Sequence, residues 1–441
     1  MKLNWESSPL HTKTSMSKNL DQFTSRRHLL LSLAAGSLVS WPLFLKAQPS
    51  GTRARPKAPP VWTGFGLNGG AAQARYDLTR EFIRQKHNLG LNDPKAFTDQ
   101  SILTASLLAQ QKPPLVQFKS AVEFGEDKLV GFAHDFEITV GARVESGGEN
   151  ANTLFIFMSG VGLVLDFRKT TGWRIVSSFP FMLRFERPGG DLKNVRAKAL
   201  GLMGEAHKGY ANAFVHFLGR FNKWDQQVSP NFFARLVDAK IHPDAQTKLA
   251  SYKIEQILNK ELLGFSASTA ICDNLNIPLL PFQENDAMTK RYAVKFSDDL
   301  AAQEEIQIPD ADLRFEIVLR DLDKKIIHST QRGITIVRRT LVIRFLTFDD
   351  TTLTPPSKNE KPFLNVIALS TSEDRTPLNS TEDDTPERDL VFFDRLLTRT
   401  LVNLLSGMVK RDAQTLALAD VKLDSVLPAI PRLLELCAKT R

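Results

Sequence analysis

Few residues in this chain are spaced for chemistry, and the most suggestive are three glycines. Gly64, Gly66 and Gly69, in GFGLNGGAAQARYDLTR, have the G-x-G-x-x-G spacing of a loop that cradles a pyrophosphate at a helix N-terminus. That chemistry needs a hydrophobic strand before the turn and, about 20 residues on, a second strand ending in an acid. The residues before the glycines, RARPKAPPVWT, carry three prolines and scattered charge. A buried central strand is not expected from them, because proline cannot donate to a ladder. The later stretch, QKHNLGLNDPK, has no apolar run. The glycines therefore read as a hinge and the entry to a first helix, and no cofactor is expected.

The other reactive side chains are scattered. His134 and Glu137 lie in an alternating run, where strict alternation puts His134 on one face and Asp135 and Glu137 on the other, so no local His–carboxylate pair is expected. His207 and His216 are separated by roughly 900° of helical rotation and face opposite sides. His242 and His328 stand alone, and no His-x-x-x-His or His-Glu-x-x-His occurs, so no metal site is expected. Ser159 lacks the glycine two residues before it that a nucleophile elbow requires, since Phe157 is there. Asp310 and Asp312 alternate as calcium ligands would, but LRF begins a strand where a calcium loop would continue. Arg338 and Arg339 read as charges guarding a sheet edge. Cys272 and Cys437 could form one disulfide or remain separate small buried side chains.

The N-terminus carries the most specific signal. SRRHLLL places Arg26 and Arg27 before the apolar run LLLSLAAGSLVSWPLFL, and cleavage after Ala47 completes an n-region, h-region and small-residue cut. The arginine pair, the Ala/Gly/Ser dilution of the run and Lys46 beside the cut resemble a bacterial twin-arginine signal, with Leu29 and Leu31 departing from its commonest residues. The resemblance implies export to the periplasm, with membrane contact only through an uncleaved signal. The formal charge of +8 is partly the leader's. Residues 1–47 hold six Lys/Arg and two acids, which leaves 51 cations against 47 anions on the rest of the chain. So mild a balance argues against a nucleic-acid partner.

The elements that must position these groups follow from periodicity. Residues 48–63 read as a flexible linker. Helices are expected over about 71–86, 99–111, 191–227 and 245–263, with three β-rich runs between 115 and 186. The last two helices would form a hairpin over that sheet. Strands return at IPLLPF, RYAVKF, LRFEIVLR, TIVRRTLVIRFLTF and FLNVIAL, with a hairpin turn around DLDKK. Residues 371–389, TSEDRTPLNSTEDDTPERD, read as an exposed or disordered excursion before two closing helices, 390–410 and 423–438. The expected fold is α+β: two mixed units of antiparallel sheet and amphipathic helices, residues 64–265 and 266–441, after the cleavable leader and linker. These features favour an exported, non-enzymatic binding or envelope-assembly protein whose partner is a protein or small-molecule ligand. The alternative is an exported hydrolase with a dispersed active site.

Overall fold

Three long runs of alternating apolar residues become the frame of the first half. In a computed structural model describing residues 59–68, 77–87, 103–119, 128–146, 149–168, 172–189, 192–221, 232–282, 291–295, 304–329, 333–350, 361–377 and 385–440, they form an antiparallel meander. Its strands are β2 (Leu129–Ser146), β3 (Glu149–Arg168) and β4 (Gly172–Pro188). β1 (Val61–Asn68) adds in parallel to β2. β6 (Arg291–Lys295) and β7 (Glu304–Gln307) then close a six-stranded barrel in the order β1-β2-β3-β4-β7-β6. Alternate residues, among them Leu129, Ala133, Val161, Leu163 and Ile175, fill a small cluster inside it. The opposite phase packs outward against a long helix.

The glycine stretch is therefore part of a strand, not a hinge. VWTGFGLN is almost wholly buried despite the prolines before it, because those prolines precede the ladder and do not interrupt it. A register shift between Trp62 and Gly64, with Gly64 at φ 133, returns Phe65 and Leu67 to the face of Trp62. Only glycine adopts that φ without strain. Gly69 and residues 1–58, including Arg26, Arg27 and Ala47, lie outside the described residues.

Among the described residues the helices are α1 (Asp77–His87), α2 (103–109), α3 (Val195–Phe221), α4 (Pro243–Ser251), α5 (Lys260–Leu275), α6 (Pro386–Lys410), α7 (Ala413–Ala417), α8 (Leu423–Val426) and α9 (Ile430–Lys439). α3 lies on β2–β4 over an aromatic layer of Phe132, Phe179, Phe181, Tyr210 and Phe214. A second sheet, order β10-β9-β8-β5, comprises β5 (Ala234–Ile241), β8 (Leu313–Ser329), β9 (Ile334–Asp349) and β10 (Leu364–Pro377), with β5 parallel to β8. The fold is α+β. Parallel pairs enter both sheets, at β1/β2, β4/β7 and β5/β8.

Several sequence expectations change. The helix expected over 245–263 is two helices, α4 and α5, with a strand before them, so there is no long helical hairpin. Eleven of the sixteen α5 residues are buried, and it packs against β4, β5 and α6. Burial on several sides leaves no polar stripe for periodicity to find. The boundary at 265/266 falls inside α5, and both sheets draw strands from either side of it. DLDKK is no turn, since β8 runs through it and reverses only after Ser329.

The polar stretch 371–389 is the largest difference. Residues 371–377 continue β10, and Thr385 caps α6, which begins at Pro386; 378–384 lie outside the described residues. The charges here are spent on one another. Buried Arg388 binds Asp374 through Nε at 2.8 Å and Nη2 at 2.5 Å. Asp389 accepts from Arg339 Nε at 2.8 Å and from Lys324 Nζ at 2.7 Å. Arg339, read as an edge charge, is fully buried on β9, a central strand, with its guanidinium 4.6 Å above the Phe392 ring. Arg338 does face solvent, where it pairs with Glu373.

Because breaking a buried pair leaves an uncompensated charge, Asp374→Asn and Asp389→Asn should each cost about 3–5 kcal/mol in urea unfolding. Glu373→Gln, at the exposed pair, should cost under about 1 kcal/mol. Equal losses at buried and exposed sites would contradict this account.

Candidate functional site

One extra residue in β2 creates a polar constellation that joins three elements of the barrel half. His134 pairs with Gly160 and Phe136 with Ser159, so Asp135 bulges out of the ladder. A bulge advances the alternation by one residue. Glu137 thus arrives on the face of His134, and the expectation that they diverge is corrected. His134 Nε2 lies 3.6 Å from Glu137 Oε2, beyond hydrogen-bond distance. Asn68 Nδ2 donates to the bulged Asp135 at 2.7 Å, tying the end of β1 to the bulge.

Glu137 also serves α1. The first N–H groups of a helix have no partner within it. Thr79 N–H, in the first turn of α1, donates to Glu137 Oε1 at 2.7 Å, and the Thr79 hydroxyl donates to Oε2 at 2.5 Å. A carboxylate from the sheet therefore caps the helix and matches the positive end of its dipole. With its proton given to Glu137, the Thr79 oxygen accepts from His207 Nε2 at 3.3 Å, which assigns that nitrogen the proton. The His207 ring stacks on Phe82 of α1, centroids 5.4 Å apart. Burial alone would raise the Glu137 carboxyl, but His134 and the two Thr79 donors outweigh it and hold the group below the usual carboxylate range.

At the other end His134 Nδ1 lies 3.0 Å from Tyr210 Oη on α3. With the Nε2 proton facing Glu137, Nδ1 accepts from the tyrosine. Gly160 makes room for this contact: a Cβ there would fall 1.9 Å from Tyr210 Oη and 2.6 Å from the Ala133 carbonyl. The chain Tyr210–His134–Glu137–Thr79–His207 thus spans α3, β2 and α1.

Chemically the set has an acid, a base and a hydroxyl, the ingredients of acid–base catalysis. Its geometry is that of a brace. Thr79, His134 and Tyr210 are fully buried, and His207 is 2% exposed. Both Glu137 oxygens are occupied by Thr79. Among the described residues no three His, Cys, Asp or Glu are placed to hold a metal ion.

The remaining sequence candidates stay apart. His216 is exposed on the side of α3 opposite His207, as its spacing implies. His242 caps α4, and His328 contacts Thr335 at 3.1 Å. Ser159 is buried within β3. Asp312 accepts the Phe233 N–H and opens β8. Cys272 on α5 and Cys437 on α9 are buried free thiols, and burial pushes the Cys272 thiol up to about 12, which makes it a poor nucleophile at neutral pH. Thr79, Tyr210 and Gly160 carried no sequence signal, because only the unforeseen bulge brings them to His134.

Glu137→Gln should lower stability at pH 7 by about 1–3 kcal/mol, since it removes a charged acceptor from two buried donors. A carboxyl with a depressed folded pKa contributes stability above its unfolded pKa, and that contribution is lost as pH falls through the folded value. The gap between wild type and variant should therefore narrow on acidification below about pH 4; a gap constant from pH 7 to 3 would refute the assignment. Gly160→Ala should cost about 1–3 kcal/mol through overpacking, partly recovered by Tyr210→Phe in the same chain. Additive losses would show that Tyr210 and Gly160 do not share the space.

No protein-family model, curated protein or solved structure matches the chain.

Proposed function

We propose that the chain is an exported, non-enzymatic binding or assembly protein of the bacterial envelope. The observation that carries this reading is the burial of the His134–Glu137–Thr79 set, whose hydrogen bonds hold α1 and α3 on β2. A catalytic base must come within hydrogen-bond reach of a substrate proton, and side chains buried on every side offer no such approach. The leader, with Arg26 and Arg27 before its apolar run, supports export. Among the described residues no helix is long and apolar enough to cross a membrane.

Two measurements test the reading. Purified protein should show no turnover on ester, amide and phosphoester substrates. Turnover lost in both Thr79→Val and His134→Asn, with folding retained, would overturn it in favour of a hydrolase. Fractionated cells should hold the wild-type chain in the periplasm and retain the Arg26→Lys, Arg27→Lys double variant in the cytoplasm. Wild type confined to the cytoplasm would remove the envelope assignment.

A further inference from the structure

The two sheets do not close all their edges equally. The outer edge of β10 is partly covered: Leu369 N–H donates to the Ala419 carbonyl at 2.9 Å, and Arg399 donates to the Thr371 carbonyl at 2.5 Å. The outer edge of β5 is met near its start, where Leu280 N–H donates to the Ala234 carbonyl at 2.8 Å. β8 is different, because β5 accompanies it only as far as Leu319. There His242 N–H donates to the Leu319 carbonyl at 2.9 Å, and Pro243 begins α4, so the neighbouring strand ends. α4 shields the next few residues: Lys248 pairs with Asp321 at 2.7 Å, and the Tyr252 ring lies 5.9 Å from Lys324 Nζ. From Lys325 on, no described strand pairs with that edge.

What is left open is apolar. Lys325, Ile326, Ile327 and His328 are all exposed, with Ile326 at 45% and Ile327 at 40%. Consecutive strand residues point to opposite faces, so the isoleucines flank the open backbone on either side. Edges of this kind are usually blunted by charge, proline or a bulge. Here Lys325 alone does so, and its solvent-exposed ion pair with Asp323 is long, at 4.0 Å.

We propose that the β8 edge at Lys325–His328 binds an extended segment of a partner protein, which adds to the second sheet as a further strand. An open ladder is completed by a strand, whose backbone supplies the missing hydrogen bonds. The isoleucines on both faces call for consecutive β-branched apolar residues, and the poorly neutralised Lys325 calls for a carboxylate opposite it. This inference rests on the binding-protein reading and names the class of partner.

The test uses the full chain and a synthetic peptide, Glu-Val-Val-Thr-Glu, with Glu-Pro-Val-Pro-Glu as the strand-breaking control. Hydrogen exchange read by mass spectrometry should slow by about tenfold across 325–329 with the first peptide and not with the second. Ile326→Lys with Ile327→Lys should abolish the protection while leaving the melting temperature unchanged, since both side chains are at the surface. Lys325→Glu should weaken the acidic peptide by about threefold and favour Lys-Val-Val-Thr-Lys instead. Equal protection by both peptides, or protection that survives the double lysine variant, overturns the proposal. So does protection produced by phosphatidylglycerol vesicles alone, or by self-association of the chain, either of which would give the edge to another occupant. Such a failure would leave the broader reading in place, because that reading depends on turnover and export.

Discussion

The carboxylate of Glu137 has to be satisfied away from water, and the outer face of the barrel is arranged around that requirement. A buried carboxylate without donors would cost several kcal/mol. Here its donors are the Thr79 N–H and hydroxyl, so the solution is also the N-terminal cap of α1. The same face presents His134, which reaches Tyr210 in the middle of α3. Two helices that also pack on each other, through the Phe82–His207 stack, thereby acquire a fixed register against one strand. The apolar contacts of Phe132, Phe181 and Phe214 supply the attraction, but apolar burial is non-directional and does not choose between neighbouring helical positions. Directional polar contacts can make that choice.

A similar division of labour holds the second sheet. Leu341, Ile343 and Phe345 give β9 an apolar face toward the helices, while Arg339 on the same face meets Asp389 at the first turn of α6. On the barrel side, Arg184 of β4 grips Asp394 of α6 through Nε at 2.8 Å and Nη2 at 3.0 Å. α6 is therefore pinned electrostatically to both sheets within two turns. Replacement of buried pairs by apolar residues is often neutral for stability, so their value here is better sought in the placement of α6 than in net free energy.

Legibility from sequence followed the physics of each element. β2–β4 were readable because each alternates along much of its length and ends in turn residues, and α3 because one stripe of it is apolar. α5 lost its helical boundaries because burial on several sides erases the stripe, and 371–389 read as an excursion because its charges are polar to any scale that ignores their partners. The site failed for a narrower reason. Strict alternation separates His134 from Glu137, and a bulge of one residue reverses that conclusion. Nothing in HDFE announces the bulge. It shows itself only when β3 supplies a ladder with one residue fewer.

The glycines that resemble a phosphate loop follow the same logic. Gly64 answers a backbone demand, a φ of 133 beside the register shift that restores the apolar phase of β1. The motif spacing and the strand requirement coincide because both ask for residues without a Cβ where the chain bends sharply. A dinucleotide would need the turn to follow the strand, so that amide groups at a helix N-terminus face outward. Here Gly64 and Gly66 lie within the strand, where β1 is already hydrogen-bonded to β2. The most conspicuous residue pattern in this chain thus serves the assembly of its sheet.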